Sequence, residues 1–351
     1  MKNIAIVFGG KSPEHEISVR SAKNIIAAID QNQFKVHLIG IDRKGQWRLV
    51  ELEQVGKYVP ESGIALAFIP GTKDPIIRLD TQQAIPNIDL MYLVLHGPNG
   101  EDGTVQGMMR ILDLPFIGPD VLGASAAMDK AVTKSLLKEV GVKVAPGMVV
   151  YNYEKSSLDY EQIVAEYGLP LFIKPANMGS SVGVHKVKDA AGFNAAIQDA
   201  FLYDQKVLIE SMIVGREVEC AVMGNDTPRA STIGEIVTPE EYSFEAKYDG
   251  ESEAQVIIPA QIDQETMERL RSIAIKAYQT IGCEVLTRVD MFLTESGEIY
   301  VNELNTLPGF TSISMFPKLW EYEGLSYTGL ISQLIEYALE RAARRQQLKM
   351  N

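Results

Sequence analysis

Short apolar runs separated by polar stretches with glycine set the rhythm of the first 120 residues. N-I-A-I-V-F (3–8), F-K-V-H-L-I-G-I (34–41) and I-D-L-M-Y-L-V-L (88–95) have the length of buried strands, and L-P-F-I-G (114–118) reads as a short fourth. A helix over roughly 16–30 lies between the first two. Strand, helix, strand order predicts parallel pairing with right-handed crossovers, hence an open α/β sheet. The region 43–86, rich in Gly and Pro, reads as an irregular insertion. M-D-K-A-V-T-K-S-L-L-K-E-V predicts one helix running to a Gly141 cap, and V-A-P-G (144–147) a connection. A smaller unit follows: strand 148–151, a helix near 158–167, strand 171–175, a Gly/Ser loop, a strand and a helix, then strand 207–210. Beyond it come strands at 216–223 and 231–237, a polar loop at 238–254, a helix near 264–281 and a hairpin. A last helix over about 327–345 carries Leu330, Leu334, Ile335, Ala338, Leu339 and Ala342 on one face. Three segments are expected: an open parallel-sheet α/β domain over 1–122, a lobe over 123–210 and another over 211–351.

The hairpin holds the densest chemistry. R-V-D-M-F-L-T-E-S-G-E-I-Y-V-N-E-L-N (288–305) is two apolar runs broken by Ser296-Gly297. A turn symmetric about that bond sets Glu295 opposite Glu298, Asp290 opposite Glu303 and Arg288 opposite Asn305. Two facing carboxylates repel and call for a cation. The oxygens of Asp290, Glu303 and Asn305 suit Mg²⁺ bridging to phosphates. The plainer reading is a hairpin whose charges point to water, and a three-residue turn would shift the register and dissolve the pair.

Of 351 residues, 46 % are apolar and 23 % charged, an ordinary globular composition. A net charge of −13 argues against a nucleic-acid partner. The first apolar run is too short for a signal peptide and no stretch is long enough to span a membrane, so a cytoplasmic enzyme is expected. Cys220 and Cys283 read as buried thiols in a reducing compartment, although a disulfide stays open.

Other loops add candidates. F-G-G-K-S (8–12) fails as a phosphate-binding P-loop because Ala5 stands where its first glycine is needed. Glu14 and Glu16 after it are, at this level, first-turn helix acids. N-M-G-S-S-V-G-V (177–184) follows Lys174, and its small residues with Ser180 and Ser181 suit a phosphate better than a plain hairpin loop. Glu210 ends a strand, where it either reads an adenine amino group or is solvated. His96 follows the buried strand 88–95 at the crevice end of the sheet, or is a bonded turn histidine. His37 and His185 look like ordinary strand positions. Lys247 and Tyr248 lie in the polar loop, whose length suggests a lid.

These pieces, in this order, resemble the D-alanine–D-alanine ligases of the ATP-grasp superfamily along nearly the whole chain. The resemblance rests on G-G-K-S-P-E-H-E-I-S (9–18), L-H-G-P-N-G-E-D-G-T-V-Q-G (95–107), M-D-K (128–130), K-P-A-N-M-G-S-S-V-G (174–183), E-A-K-Y (245–248), R-V-D (288–290) and N-E-L-N-T-L-P-G-F-T-S-I-S (302–314). It implies an α+β two-lobed ATP-grasp fold after the first domain, with ATP as co-substrate and two Mg²⁺, Mn²⁺ being a possible substitute. It implies that Glu14 holds the first D-alanine's ammonium, that Lys130 and Lys174 bind ATP phosphates under the Ser180/Ser181 loop, and that Lys247 reaches the γ-phosphate. Glu210 with the Ile213 backbone would meet adenine and Glu217 the ribose. Asp290, Glu303 and Asn305 would hold the metals, and Arg288 with the Gly309 N–H the oxyanion. Ser314 would take the second D-alanine's carboxylate in a pocket lined by His96. E-A-K-Y matches the dipeptide-forming pattern, with Tyr248 bonded to the Ser180 and Glu14 network. A homodimer is expected from the resemblance. Two rivals are another ATP-grasp carboxylate–amine ligase with a different acceptor, and a nucleotide-binding regulator that has lost catalysis.

Overall fold

In the first sheet the central strand is buried on both faces. The structure, a computed structural model, describes residues 1–237 and 255–349. β1 (Lys2–Gly9) pairs in parallel with β2 (Phe34–Ile41) and with β6 (Leu90–Val94). Ile4, Ala5, Ile6 and Val7 are wholly buried, as a continuous apolar run between two layers requires. Helix α1 (His15–Ala28) makes the expected crossover. The sheet is nevertheless mixed rather than parallel throughout. The region 43–86 supplies β3 (Trp47–Leu49), β4 (Ile64–Phe68) and β5 (Ile76–Arg78), which extend it antiparallel in the order β5-β4-β3-β2-β1-β6. Strands this short, interrupted by Gly and Pro, show too little alternation to register as a pattern. The run 114–118 contributes only one parallel bridge, Met91 to Phe116.

The helix expected before Gly141 is present as α4 (Lys130–Glu139), starting two residues later than expected; α2 (Thr104–Ile111) and α3 (Val121–Met128), which meets α4 at Asp129, were not expected. Asp129 accepts bonds from the Ala131 and Val132 N–H groups at 3.0 and 3.1 Å, so a new helix starts at Lys130. Gly141, at φ +74°, closes its far end. The second sheet has the order β7-β10-β8-β9, from Gly147–Tyr151, Lys206–Ser211, Leu171–Pro175 and His185–Val187. The third has the order β13-β12-β11-β14-β15, from Gln255–Ile257, Arg229–Val237, Arg216–Gly224, Val285–Leu293 and Ile299–Asn305. Helix Gln264–Ile281 covers one face of it through Leu270, Ala274, Ala277 and Tyr278.

On the other face, Ala221, Met223 and Leu286 join a core shared with Ile4, Ile6 and Phe8 of the first sheet. The last helix, Tyr327–Gln346, lies in that shared core with Leu330, Leu334, Ile335 and Ala338 wholly buried, as its apolar stripe foretold. One core thus joins the two ends of the chain, and the loops at its margin face one another. Cys220 and Cys283 are buried free thiols. Among the described residues, no helix is long and apolar enough to cross a membrane.

Candidate active site

The hairpin β14–β15 pairs Arg288 with Asn305 and Asp290 with Glu303, as expected. The turn differs from expectation. Met291 pairs with Val301 and Leu293 with Ile299, and Thr294 N donates to Glu298 O at 2.9 Å, so three residues, Glu295, Ser296 and Gly297, form the loop. Gly297 takes φ +76°, as a three-residue loop needs. That shift is reversed by a bulge: Asn302 and Glu303 together oppose Asp290, and the ladder resumes in the original register. The bulge also turns two successive polar residues to the cleft. β11 adds Glu219 opposite Asp290, giving a row Glu219, Asp290, Glu303 across three strands. Arg288 binds Asp290 bidentately at 2.7 and 2.8 Å and reaches Glu219 at 2.9 Å, while Asn305 donates to Asp290 at 2.8 Å. Burial works against its charge, but Asp290 and Glu219 hold the Arg288 guanidinium well above its ordinary range. As the side chains stand, no three His, Cys, Asp or Glu among the described residues converge as a metal shell. The row still offers hard oxygens at adjacent positions, the donor type that Mg²⁺ takes.

Cations face this row. Lys130 Nζ lies 3.5 Å from Glu303 and donates to Met178 O at 2.6 Å; Lys174 Nζ donates to Asn302 Oδ1 at 3.2 Å. Behind them Glu210 is 3 % exposed and is shared by Lys174 at 2.8 Å and Lys134 at 2.5 Å. Burial alone would raise the Glu210 pKa, yet the two ammonium groups hold it down at about 2. One carboxylate cannot satisfy both cations equally. Lys174, despite burial, is raised by Glu210, whereas burial and repulsion from Lys174 bring Lys134 down to about 7.

The loops of the first domain close the other side. Ser180 Oγ donates to Glu14 Oε1, and Ser180 and Ser181 sit at φ +52° and +60°. A Cβ on Gly97 would lie 3.1 Å, and one on Gly179 3.6 Å, from Glu14 Oε2, so both chains approach this carboxylate closely. His96 is buried, its Nδ1 2.9 Å from Leu307 O, and desolvation lowers its pKa. Glu101 binds the same two loops, accepting from Gly97 N at 2.8 Å and from Leu307 N at 3.0 Å. Ser314 precedes the helix Met315–Tyr322 and accepts from Thr311 N at 2.9 Å; a Cβ on Gly309 would approach its Oγ to 2.8 Å. Ile213 follows β10, and Glu217 lies exposed on β11. Lys247 and Tyr248 lie outside the described residues.

Family models for the D-ala D-ala ligase N-terminus and C-terminus match residues 3–119 and 136–336. The chain belongs to the D-alanine–D-alanine ligase family. Over 99 % of its length this ligase is 50 % identical to a D-alanine–D-alanine ligase of Shouchella clausii, covering 97 % of that protein. It is 48 % identical to D-alanine–D-alanine ligase A of Salmonella typhimurium, with 99 % and 98 % covered. Its structure is similar to the D-alanine–D-alanine ligase from Coxiella burnetii (TM-score 0.86, 33 % identity, 99 % and 98 % covered). It is equally similar to the VanG D-Ala:D-Ser ligase from Enterococcus faecalis (TM-score 0.85, 34 % identity, 96 % and 99 % covered).

Residue-level reading had passed over Lys134, Glu219 and Glu101 in this ligase. Each had a signal: Lys134 is four residues after Lys130 on one helix face, and Glu219 shares a strand face with Glu217. Glu101 lies inside the H-G-P-N-G-E-D-G block, but its partner Leu307 is 206 positions away.

Proposed function

We propose that this enzyme joins two D-alanines into D-alanyl-D-alanine, coupled to cleavage of ATP to ADP and phosphate, for peptidoglycan synthesis. The observation that carries the reading is the pairing of cations with the polar row of β15, Lys130 with Glu303 and Lys174 with Asn302. Phosphate held by the lysines would lie against the acids. We assign the ammonium of the first D-alanine to Glu14, the phosphates to Lys130, Lys174 and the Ser180/Ser181 loop, and the γ-phosphate to Lys247 as well. Glu210 and the Ile213 backbone are assigned to adenine, Glu217 to ribose. One carboxylate oxygen of the first D-alanine attacks the γ-phosphorus, the bond to ADP breaks, and an acyl phosphate forms. The second D-alanine's amine attacks the acyl carbon, loses a proton, and expels phosphate. Arg288 and the Gly309 N–H stabilise charge on the tetrahedral oxygen, while Ser314 orients the acceptor carboxylate beside His96. Asp290, Glu303 and Asn305 would hold Mg²⁺, two per site with Mn²⁺ as a substitute, and the metal supplies charge neutralisation on the phosphates. Tyr248 is assigned to the Glu14 and Ser180 network. We further propose a homodimer, a cytoplasmic location suited to the two reduced thiols, and lobes at 1–122, 123–210 and 211–351.

Phosphate release with ATP and Mg²⁺, with D-alanine, D-serine or D-lactate offered as acceptor, tests the assignment. D-Alanine-dependent release is expected, with Glu303→Gln slower by about 10²- to 10³-fold. Release independent of any amino acid, or a variant as fast as the parent, would overturn it.

A further inference from the structure

The chain between β3 and β4 runs back over the start of α1. Val55 and Val59 are 6 % and 5 % exposed and share a core with Val19 and Ala22 of that helix. Val59 fills a notch left by two glycines: a Cβ on Gly40 would lie 2.5 Å from its Cγ1, and one on Gly9 2.7 Å from its Cγ2. His15, wholly buried, completes the seat with Nδ1 2.7 Å from Gly10 O and Nε2 3.2 Å from Val59 N. Because an N–H points at Nε2, that nitrogen accepts, and Nδ1 carries the proton donated to Gly10. Polar contacts edge the seat. Lys23 donates to Gly56 O at 2.8 Å, Lys57 pairs with Glu16 at 2.9 Å, and Arg43 lies 4.3 Å over the Tyr58 ring.

The turn gripped in this way runs directly into Glu14. Gly9 and Gly10 sit at φ +96° and +97°, a conformation that glycine adopts without strain but does not enforce. Something else must hold it, and His15 and Val59 grip it from outside. We propose that the strap 55–59 is part of the substrate site: Val59 and His15 are positioning residues that fix where the Glu14 carboxylate stands. The inference rests on assigning the first D-alanine's ammonium to Glu14. Displacing a binding group by about 1 Å is enough to weaken a substrate without touching the rest of the site.

Steady-state kinetics separate this from plain packing. In Val59→Gly and His15→Ala, half-saturating D-alanine should rise about three- to tenfold while half-saturating ATP stays within about twofold. Should Val59→Gly not fold, Val59→Ala reads the same split more mildly. Ile29→Ala, at the far end of α1 and also buried, serves as the stability control: a lower melting temperature with D-alanine half-saturation unchanged. Equal shifts for both substrates, or no shift for D-alanine, would overturn the proposal. Glu14→Gln tests the underlying assignment separately: if that variant leaves D-alanine half-saturation unchanged, the role of Glu14 itself fails.

Discussion

Glu101 shows how one side chain can join two loops and carry a pH dependence. Its oxygens accept from Gly97 N, four residues away, and Leu307 N, 206 positions away. Desolvation, then the negative charge of Glu14, raises its pKa from 4.5 to about 7. Ionising it therefore costs the folded state as pH rises: nothing below about 4.5, the full amount above about 7. Glu101→Gln removes that titration, so parent stability minus variant stability should fall by about 3 kcal/mol between pH 4.5 and pH 8. Urea unfolding of both proteins at the two pH values measures it. A difference constant with pH would mean that Glu101 titrates normally.

At the scale of elements, the hairpin was legible through two deviations that cancel. The expected two-residue turn has three residues, which moves the register by one, and the bulge at Asn302 moves it back. The bulge had a mark in the sequence. In I-Y-V-N-E-L-N, alternation of apolar and polar residues breaks at the adjacent Asn302 and Glu303, where two residues oppose one. The start of α4 at Lys130 was legible too, because Asp before Lys-Ala-Val is a cap signature. That cap is the root of the Lys130 position: Asp129 bonds the first turn of α4 and pairs with Lys206 of β10. Asp129→Ala should cost about 1–2 kcal/mol in urea unfolding. It should also raise half-saturating ATP with D-alanine half-saturation unchanged, since Lys130 begins the helix that Asp129 caps. Unaltered ATP saturation would detach the cap from the phosphate site.

At the scale of the molecule, the α/β order, the helix Gln264–Ile281 and the apolar stripe of the last helix were readable because each depends on local periodicity. What packs against what was not, because those contacts join residues some two hundred positions apart. Arg341 is the clearest case. On the last helix, it is 9 % exposed, donates to Phe116 O at 2.7 Å and to Gly118 O, and lies 4.5 Å over the Phe116 ring. A Cβ on Gly118 would come within 2.8 Å of Leu307, whose backbone holds both His96 and Glu101. Arg341 and Glu101 therefore tie the same joint from two sides. Arg341→Met should cost about 2–4 kcal/mol, through two backbone carbonyls left without their donor. Once either tie is cut the joint loosens as a unit, so the second substitution should cost less than it does alone. A double-mutant cycle of Arg341→Met and Glu101→Gln by urea unfolding at pH 8 reads the coupling directly. Costs that add to within about 0.5 kcal/mol would show that the two residues hold independent regions, and that the first domain is not braced against the rest through Leu307.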